Sequence, residues 1–563
     1  MCGISVIYDL GSKEITQSEI EHLNLSIKHR GPDNSEFWKN GKCALAHRRL
    51  AIIDLDERSN QPFRFGNYII TFNGEIFNFK ELKSELENKG HLFKTDSDTE
   101  VLLRMYIEYG NNMLSKLNGM WAFAIYNTAS EQLFVARDRF GIKPLYFSKI
   151  ENRIYFYSEI KQIRNIHALE LNEETVLEFL FFGRLHHKED TIYKNVQLVE
   201  PGTFLTIQNN QLKKERYYSI PITDNNRSLD SNLEELKFLL DDSVRIRILA
   251  DVKVGTLVSG GIDSSLINYY QMKYQSSPEC FHFASKKYSE IDYAKMVVEK
   301  GKGKLSIINE ENTLSDFENM TRIFDEPYNS LSILAQYSIF KKVKERDIKV
   351  VLSGQGADEV FLGYDRYKYL NNRLKPQHYV FYNKKINQFY NSFRFGLGRK
   401  QRELLKYLDN INTCNNKSLK EFQSDEIMKY QLQQLLYYED QNSMANSIES
   451  RVPFLDHRIV EFGLNLPIAQ KIYKGETKYI LKRLAEEIYG TDFVKRKKIG
   501  FNFDFDQYYN FKNKNQIVDE LGSNFQFKEI IEQVDIKKLS NNDWLLWRFE
   551  CFNILLRKMN AET

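Results

Sequence analysis

Two glycine-rich turns, each directly behind a short apolar run, constrain the fold most strongly. The first is "TLVSGGIDSS" at residues 256–265, and the second is "VVLSGQGADE" at residues 350–359. Long segments with helical spacing separate these runs from each other and from "CFHFAS", which is the pattern of a parallel α/β sheet. Because parallel strands end at one edge of a sheet, where the ligands of such sheets bind, we expect the two turns to lie side by side there.

The residues of the first turn suit the binding of phosphate groups. Gly260 and Gly261 let the backbone approach a ligand closely, and the helix that follows has free N–H groups that attract anions. No lysine follows the glycines, so this is not the nucleotide loop that ends in GK[ST]. A plain strand-to-helix turn is the alternative. Asp263 and Asp358, one behind each strand, favour the phosphate interpretation because converging carboxylates near a triphosphate bind Mg²⁺.

Composition excludes several classes of protein. With 563 residues, 42% of them hydrophobic, the chain is long enough for at least two cores. The 79 lysines and arginines nearly balance the 76 aspartates and glutamates, so small-molecule substrates fit better than a nucleic-acid partner. No segment approaches the ~20 apolar residues of a membrane span. The 5 cysteines are scattered without a CxxC pair, which favours a reducing, cytoplasmic location.

The chain changes character near residue 219. Before it, short β-type runs such as "NYIITFNGEIF", "WAFAIYN" and "QLFVARD" alternate with helical segments, which predicts sheets with packed helices. A polar, proline-containing stretch, "SIPITDNNRSLDSN", suits a linker. We therefore expect a first domain over residues 1–212, a linker over residues 213–231 and a second domain over residues 232–563.

Ordered motifs over most of the chain carry a family resemblance. The second half contains "LVSGGIDSS", "FDEPYNSLSIL", "KVVLSGQGADEVFLGY", "SMANSIESRVPFLD", "KGETKYILKR" and "RKKIGF", and the first half contains "MCGI", "RGPD", "HRRLAIIDL", "NGEIFN", "SDTE", "GMWAFAIY" and "RDRFGIKPLY". In this order they resemble the glutamine-hydrolysing asparagine synthetases over residues 1–505. The resemblance implies an α+β N-terminal-nucleophile glutaminase domain of layered antiparallel sheets with helices. An α/β parallel-sheet synthetase domain with additional helices would follow.

In the glutaminase half, the resemblance implies that Cys2 becomes the first residue after removal of Met1 and acts as the nucleophile. Its own α-amine, with an unperturbed pKa of about 7.7–8.0, can take the thiol proton. Asn73 and the backbone N–H of Gly74 would stabilise the oxyanion. An ordinary terminal thiol is the alternative for Cys2. His47 is expected to be structural, because the α-amine already supplies the base.

Recognition of glutamine needs a cation for its carboxylate and acids for its amine. By resemblance, Arg49 has the first role, and Asp98 and Glu75 have the second. For an arbitrary arginine or aspartate, a charge on the protein surface is the alternative interpretation.

In the synthetase half, the family activates a carboxylate by attack on the α-phosphorus of ATP, and ammonia then displaces AMP. The resemblance places Mg²⁺ on Asp263 and Asp358, and it gives Lys478 the role of stabilising negative charge during adenylation. A solvated helix lysine is the alternative for Lys478. The candidates for ATP binding at the strand ends are Val258, Ser259, Gly260, Gly261, Asp263, Ser264, Ser285, Ser353 and Gly354.

Gln355, a further catalytic candidate, departs from the family pattern, in which a glutamate follows "SG". A glutamine can donate a hydrogen bond to a phosphoryl or carboxylate oxygen but cannot take up a proton. Aspartate is the expected acceptor, and another carboxylate, such as a sugar acid or a pathway intermediate, is the alternative. A third hypothesis is a glutamine- or nucleotide-binding regulatory protein, against which Cys2 and Asp263 argue. The resemblance also implies an interdomain ammonia tunnel, and a homodimer is one option.

Overall fold

The computed structural model describes eight stretches of the chain. They are residues 2–285, 290–309, 314–371, 418–496, 508–509, 512–524, 539–540 and 542–562. All candidate site residues lie within them, whereas of the "RKKIGF" motif only Arg496 does. We call residues 2–216 the N-terminal half and the described residues from 229 onward the C-terminal half. Within these stretches, no helix is long and apolar enough to cross a membrane.

Twelve strands of the N-terminal half form two six-stranded sheets. The strands are β1 (Gly3–Asp9), β2 (Asn34–Lys39), β3 (Cys43–Arg49), β4 (Phe63–Phe65), β5 (Tyr68–Ile76), β6 (Gly119–Asn127), β7 (Gln132–Arg137), β8 (Tyr146–Ile150), β9 (Arg153–Tyr157), β10 (Gln197–Leu198), β11 (Thr203–Gln208) and β12 (Gln211–Arg216). The first sheet has the order β10-β8-β9-β1-β3-β2, and the second has the order β12-β11-β7-β6-β5-β4. Neighbouring strands are antiparallel throughout.

The two sheets pack face to face with helices on the outside. Alternate side chains of the strands, among them Ile4, Leu45, Ile69 and Val135, form the core between the sheets. The helices of this half are α1 (Gln17–Leu25), α2 (Phe79–Glu87), α3 (Asp98–Tyr109), α4 (Lys161–Arg164) and α5 (Glu173–Phe182). α1 covers the outer face of the first sheet, and α2 and α3 cover that of the second. This layered arrangement confirms the α+β prediction.

The C-terminal half contains a five-stranded sheet surrounded by helices. Its strands are β13 (Val254–Leu257), β14 (Glu279–Ala284), β15 (Lys304–Asn309), β16 (Val350–Leu352) and β17 (Glu449–Arg451). Its helices are α6 (Leu229–Arg247), α7 (Ile262–Gln271), α8 (Ile291–Lys300), α9 (Leu314–Ile323), α10 (Ser332–Glu345), α11 (Ala357–Val360), α12 (Asp365–Asn371), α13 (Leu419–Met428), α14 (Gln431–Ala445), α15 (His457–Asn465), α16 (Ile468–Lys471), α17 (Tyr479–Tyr489), α18 (Thr491–Lys495), α19 (Lys514–Ser523) and α20 (Asp543–Glu562). The sheet has the order β15-β14-β13-β16-β17, and every pair is parallel, as predicted.

The two glycine-rich turns lie next to each other at one edge of this sheet. β13 pairs directly with β16, with Thr256 opposite Leu352. A Cβ atom built on Gly354 would lie 3.2 Å from the backbone nitrogen of Ser264, so the second turn contacts the first. The expected convergence of the strand ends is therefore confirmed.

Two elements of secondary structure extend into residues 213–231, which are predicted to form a linker. β12 continues to Arg216, pairing with β11 up to Thr203, and α6 begins at Leu229. The strand was missed because its sequence, "QLKKER", is polar and exposed at the edge of the sheet, without the alternation of a half-buried strand. The division into two domains itself stays a prediction.

A buried ion pair is part of the contact between the two halves. Asp456 Oδ2 accepts from Arg247 Nη1 at 2.9 Å and from Asn118 Nδ2, in the N-terminal half, at 2.9 Å. Burial by itself would raise the pKa of Asp456, but the guanidinium of Arg247 and the hydrogen bond from Arg458 hold it well below its usual range. The ionised carboxylate therefore stabilises the folded, docked state.

We expect Asp456→Asn to lower the thermal denaturation midpoint, because breaking a buried ion pair costs about 3–5 kcal/mol. The folded pKa is depressed, so this stabilisation is fully present above the pKa of an unfolded aspartate, about 4, and is lost as the pH falls towards the lower folded value. The measurement is the midpoint of wild type and variant from neutral to acidic pH. Asp224→Asn, whose carboxylate is exposed and 3.7 Å from Lys420 Nζ, is the matched control. Equal midpoints for both variants would contradict a stabilising role.

Candidate functional site

Cys2 lies buried directly before β1, with 9% of its surface exposed. Its backbone nitrogen donates to Asn73 Oδ1 at 3.2 Å, and its carbonyl accepts from Arg30 Nε at 2.9 Å. Burial raises the pKa of the Cys2 thiol to about 11, against the opposing effect of the positive amino terminus. The thiol is therefore protonated at neutral pH and needs a base to become a nucleophile.

Asn73 and Gly74 follow each other on β5, beside the cysteine. The oxygen of the Asn73 amide is engaged by Cys2, while its Nδ2 is buried and has no hydrogen-bond partner among the described residues. A buried donor without a partner is costly, and an oxyanion at this position would satisfy it. Gly74 runs so close to β6 that a Cβ atom would lie 2.1 Å from the carbonyl oxygen of Met120. Only glycine fits there.

Arg49 is buried at the end of β3 and is not a surface charge. Its Nη1 donates to Asp56 O at 2.9 Å and to Asn60 Oδ1 at 2.8 Å, and its Nη2 donates to Asp54 O. The loop after β3 thus holds the guanidinium. His47 Nε2 lies 3.0 Å from the carbonyl oxygen of Phe72, and burial lowers the pKa of His47 to about 3, so its imidazole is neutral.

Glu75 and Asp98 lie in a buried acidic cluster that both halves of the chain build. Asp98 Oδ2, at the start of α3, accepts from the backbone nitrogen of Ile76 at 2.9 Å. Burial and the charge of Glu449 raise the pKa of Asp98 to about 6, and the same two causes raise the pKa of Glu75 well above its usual value. The cation of the cluster is Arg451, whose Nη2 lies 3.6 Å from Glu75 Oε1.

Sequence reasoning gave no role to Glu449 or Arg451, which belong to β17 of the C-terminal half. Both occur in the quoted motif "SMANSIESRVPFLD", and that was the only available signal. Glu439, buried on α14, was also missed. It accepts from Ser450 Oγ at 2.6 Å, and the side chain of Ser353 also hydrogen-bonds to it, so a carboxyl group lies directly beneath the second glycine-rich turn.

The first glycine-rich turn is held by its own serines. Ser264 Oγ accepts from the backbone nitrogen of Ser259 at 3.1 Å, and Ser259 Oγ accepts from that of Gly261 at 3.1 Å. Gly260 has φ +86°, and a Cβ atom on it would lie 2.8 Å from Glu290 O, so both the backbone angle and the space require glycine. The Gly260 carbonyl accepts from Arg496, the first residue of the "RKKIGF" motif.

Lys478 joins the two turns and is not a solvated lysine. It lies 5% exposed just before α17, and its Nζ is 2.6 Å from Asp263 Oδ2 and 2.7 Å from Asp358 Oδ1. Burial would lower the pKa of Lys478, but the two carboxylates raise it, so the amine is charged. Asp263 Oδ1 is buried without a hydrogen-bond partner among the described residues. The described part of the chain contains no group of three or more His, Cys, Asp or Glu side chains arranged for a metal ion.

The remaining ATP candidates lie at the ends of three strands. Val258 is buried behind β13 and donates its N–H to Phe281 O at 2.8 Å, and Ser285 directly follows β14. Ser353, behind β16, donates its N–H to Arg451 O at 2.9 Å. Gln355 is half-buried two residues further on. The contacts described above join Cys2 to Asn73 in one half, and Lys478 to Asp263 and Asp358 in the other.

Two family models match the chain, one in each half. The glutamine amidotransferase domain matches residues 1–218, and asparagine synthase matches residues 235–543. The chain belongs to the asparagine synthase family. It is 32% identical over 553 residues to "Asparagine synthetase [glutamine-hydrolyzing] 1" of Bacillus subtilis, with 89% of this chain and 87% of the relative covered. It is 30% identical to a putative asparagine synthetase [glutamine-hydrolyzing] of Mycobacterium tuberculosis, with 86% and 84% covered.

Solved structures also match the chain. A glutamine phosphoribosylpyrophosphate amidotransferase from B. subtilis covers 63% of this chain and 82% of its own, at 17% identity and a TM-score of 0.30. The family matches confirm the resemblance to the asparagine synthetases. They also show that a glutamine amidotransferase domain and an asparagine synthase domain follow each other in one polypeptide.

The state of the amino terminus is expected to control the reactivity of Cys2. With Met1 removed, the free α-amine can accept the thiol proton, so alkylation by iodoacetamide should begin near the pKa of an α-amine, about 8. With an extra N-terminal residue that keeps the Cys2 nitrogen in a peptide bond, alkylation should rise only towards pH 11. The measurement is the rate of Cys2 modification against pH, resolved by peptide mass spectrometry. Identical pH profiles for the two forms would contradict the role of the α-amine.

Proposed function

We propose that this protein converts aspartate to asparagine, using glutamine as the nitrogen donor and ATP as the energy source, and releases glutamate, AMP and pyrophosphate. The observation that carries the proposal is the Lys478 amine held between Asp263 and Asp358, where two glycine-rich turns meet, in a chain whose other half holds Cys2 beside Asn73. A regulatory protein without catalysis would have no need for either arrangement.

The glutaminase reaction starts at Cys2. Its α-amine takes the thiol proton, the sulfur attacks the amide carbon of glutamine, and the negative oxygen is stabilised by Asn73 Nδ2 and the N–H of Gly74. Ammonia leaves with a proton from the α-amine, and water hydrolyses the thioester to glutamate. Arg49 binds the carboxylate of glutamine, and its guanidinium is held for this role by the loop after β3.

The second reaction joins AMP to the acceptor and then replaces it. A carboxylate oxygen of the acceptor attacks the α-phosphorus of ATP, pyrophosphate leaves, and ammonia displaces AMP from the acyl-adenylate. Lys478 balances the negative charge that accumulates on the phosphates. We propose that Asp263 and Asp358 bind Mg²⁺, since Asp263 Oδ1 is a buried oxygen without a partner among the described residues. Bound Mg²⁺ would neutralise phosphate charge and orient the leaving pyrophosphate.

The ATP molecule is proposed to lie across the ends of β13, β14 and β16. Its contacts would come from Val258, Ser259, Gly260, Gly261, Ser264, Ser285, Ser353 and Gly354. The two glycine-rich turns can bring backbone N–H groups close to the phosphates. Gly260 is required in the first turn because a Cβ atom there would lie 2.8 Å from Glu290 O.

Gln355 bears on which carboxylate is the acceptor, because the family has a glutamate at this position. Its amide can donate to a carboxylate or phosphoryl oxygen, so we propose that adenylation works without a carboxylate at this position. Another carboxylate acceptor, such as a sugar acid, is the second candidate, because the chemistry of a shared fold is set by its site.

Four of the cysteines are buried, unpaired thiols, which supports a reducing, cytoplasmic location. A homodimer stays a prediction.

The direct test supplies the full-length protein with aspartate, glutamine and ATP and measures asparagine and AMP separately. Asparagine formed at the rate of AMP release is expected for wild type, with Gln355→Glu as the comparison. If neither protein makes asparagine while glutamine is still hydrolysed, aspartate is the wrong acceptor.

Cys2→Ala should lose synthesis from glutamine but keep synthesis from ammonium salts, because only the ammonia source is removed. Loss of both in a folded variant would contradict two separate sites.

Removing charge around Lys478 should stop adenylation without affecting the glutaminase. Asp263→Asn, Asp358→Asn and Lys478→Ala are each expected to lower the rate of pyrophosphate release about 10²-fold or more, because each disturbs the charge balance at the phosphates. The measurement is pyrophosphate release beside glutamine hydrolysis in the same preparation.

The matched control for this series is Lys482→Ala, one turn further along α17, where the amine pairs with Glu476 at 3.2 Å. It should release pyrophosphate like wild type. Undiminished release in all three site variants would mean that the adenylation site lies elsewhere.

A further inference from the structure

Arg451 reaches from the C-terminal half into the proposed glutamine site. Its Nε pairs with Glu449 Oε1 at 2.5 Å, and its Nη1 donates to the carbonyl oxygens of Arg247 and Leu249, both at 2.7 Å. These contacts fix the plane of the fully buried guanidinium. The third nitrogen of the guanidinium, Nη2, has no hydrogen-bond partner among the described residues and lies 3.6 Å from Glu75 Oε1.

The acids around Arg451 outnumber it. Glu75, Asp98 and Glu449 are all buried, and Arg451 pairs with both Glu75 and Glu449. Ionising all three carboxyl groups beside one guanidinium is unfavourable where solvent is excluded, unless further positive charge is present. Glu75 Oε2 is also buried without a hydrogen-bond partner among the described residues. The excess of carboxyl groups and the open acceptor fit an incoming ammonium group.

Other charged groups also face the cluster. The positive amino terminus lowers the pKa of both Glu75 and Glu449, and Lys143 lowers that of Glu449. Burial would raise the pKa of Glu449, but the guanidinium of Arg451 and these two cations lower it. Arg451 likewise opposes the upward shifts of Glu75 and Asp98. Glu449 acts in the opposite direction and raises the pKa of both.

The backbone of Arg451 belongs to the other site. In the parallel pair of β16 and β17, Arg451 lies opposite Leu352, and its carbonyl accepts the N–H of Ser353 at 2.9 Å. Ser353 starts the second glycine-rich turn, where ATP is proposed to bind. One residue therefore has its side chain among the glutamine-binding acids and its main chain at the ATP-binding edge.

We propose that Arg451 is a positioning residue that orients Glu75 and stabilises the ionised forms of Glu75 and Asp98, which receive the α-ammonium group of glutamine, so that the C-terminal half completes the glutamine site. This inference rests on the proposed function.

The test uses the full-length protein and two substitutions with opposite expected effects on KM for glutamine. Arg451→Met removes the cation, so Glu75 and Asp98 lose protons only at higher pH. The acidic limb of the KM profile should move up by about one pH unit or more, and KM at neutral pH should rise about tenfold, with a smaller change in kcat. Glu449→Gln removes a like charge and should move the same limb to lower pH. Arg451→Lys should restore part of the wild-type profile.

The matched control is Arg247→Lys, another fully buried arginine of the same interface, which pairs with Asp456 and not with the glutamine-binding acids. Its KM profile should match that of wild type. Synthesis from ammonium salts, measured for every variant, reports whether the synthetase is folded. Should Arg451→Met fail to fold, Glu449→Gln and Arg451→Lys still decide the outcome by the direction of their shifts.

Wild-type pH profiles for both Arg451→Met and Glu449→Gln would overturn the charge role. If wild type itself does not hydrolyse glutamine, the proposed function has failed instead, which is a distinguishable result.

Discussion

The rest of the structure depends on the buried guanidinium of Arg30, which joins Cys2, Glu159 and Asp440 of the two halves. Its Nε binds the carbonyl of Cys2, and its two terminal nitrogens bind Glu159 in its own half and Asp440 of α14 in the other. Burial would lower the pKa of Arg30, but these carboxylates raise it, so the charge is retained. A buried ion pair is favourable only when its geometry and hydrogen bonds are complete. Cys2, the proposed nucleophile, is therefore positioned by a contact that requires both halves.

The two candidate sites differ in the sign of the charge that they accept. The Cys2 site contains a surplus of carboxylates, which suits the ammonium group of an amino acid. At the other sheet edge, the Lys478 amine lies between Asp263 and Asp358, and backbone N–H groups of two glycine-rich turns lie nearby, which suits phosphates with a cation. Lys478 and the acids beside Cys2 are buried, so each of these charges is controlled by its few neighbours, and single substitutions have large effects.

Local patterns predicted the fold because they are set by backbone geometry. Isolated apolar runs before "SGGID" and "SGQG" indicated parallel strands that end at the same edge of a sheet. The parallel pairing of Thr256 with Leu352, near the ends of the two strands, agrees with this. Alternating side chains indicated the layered sheets of the N-terminal half. The strand β12 was not predicted, since an edge strand with solvent on most side chains has no apolar pattern. For the same reason the last residues of this strand, 213–216, were included in the predicted linker.

The sequence by itself determined which chemical groups are available: a cysteine after the initiator methionine, an Asn-Gly-Glu run, two acids behind parallel strands, and a lysine in a recognisable motif. The strand ends and turns are local features of the sequence, whereas the resemblance to a family assigned the cysteine, the Asn-Gly-Glu run and the lysine to sites. Only the tertiary structure decided that Arg451 lies beside Glu75 and that Lys478 is buried between two aspartates. Such contacts join segments far apart in the chain. Their geometry follows from the packing of whole sheets and helices, which periodicity and spacing do not encode.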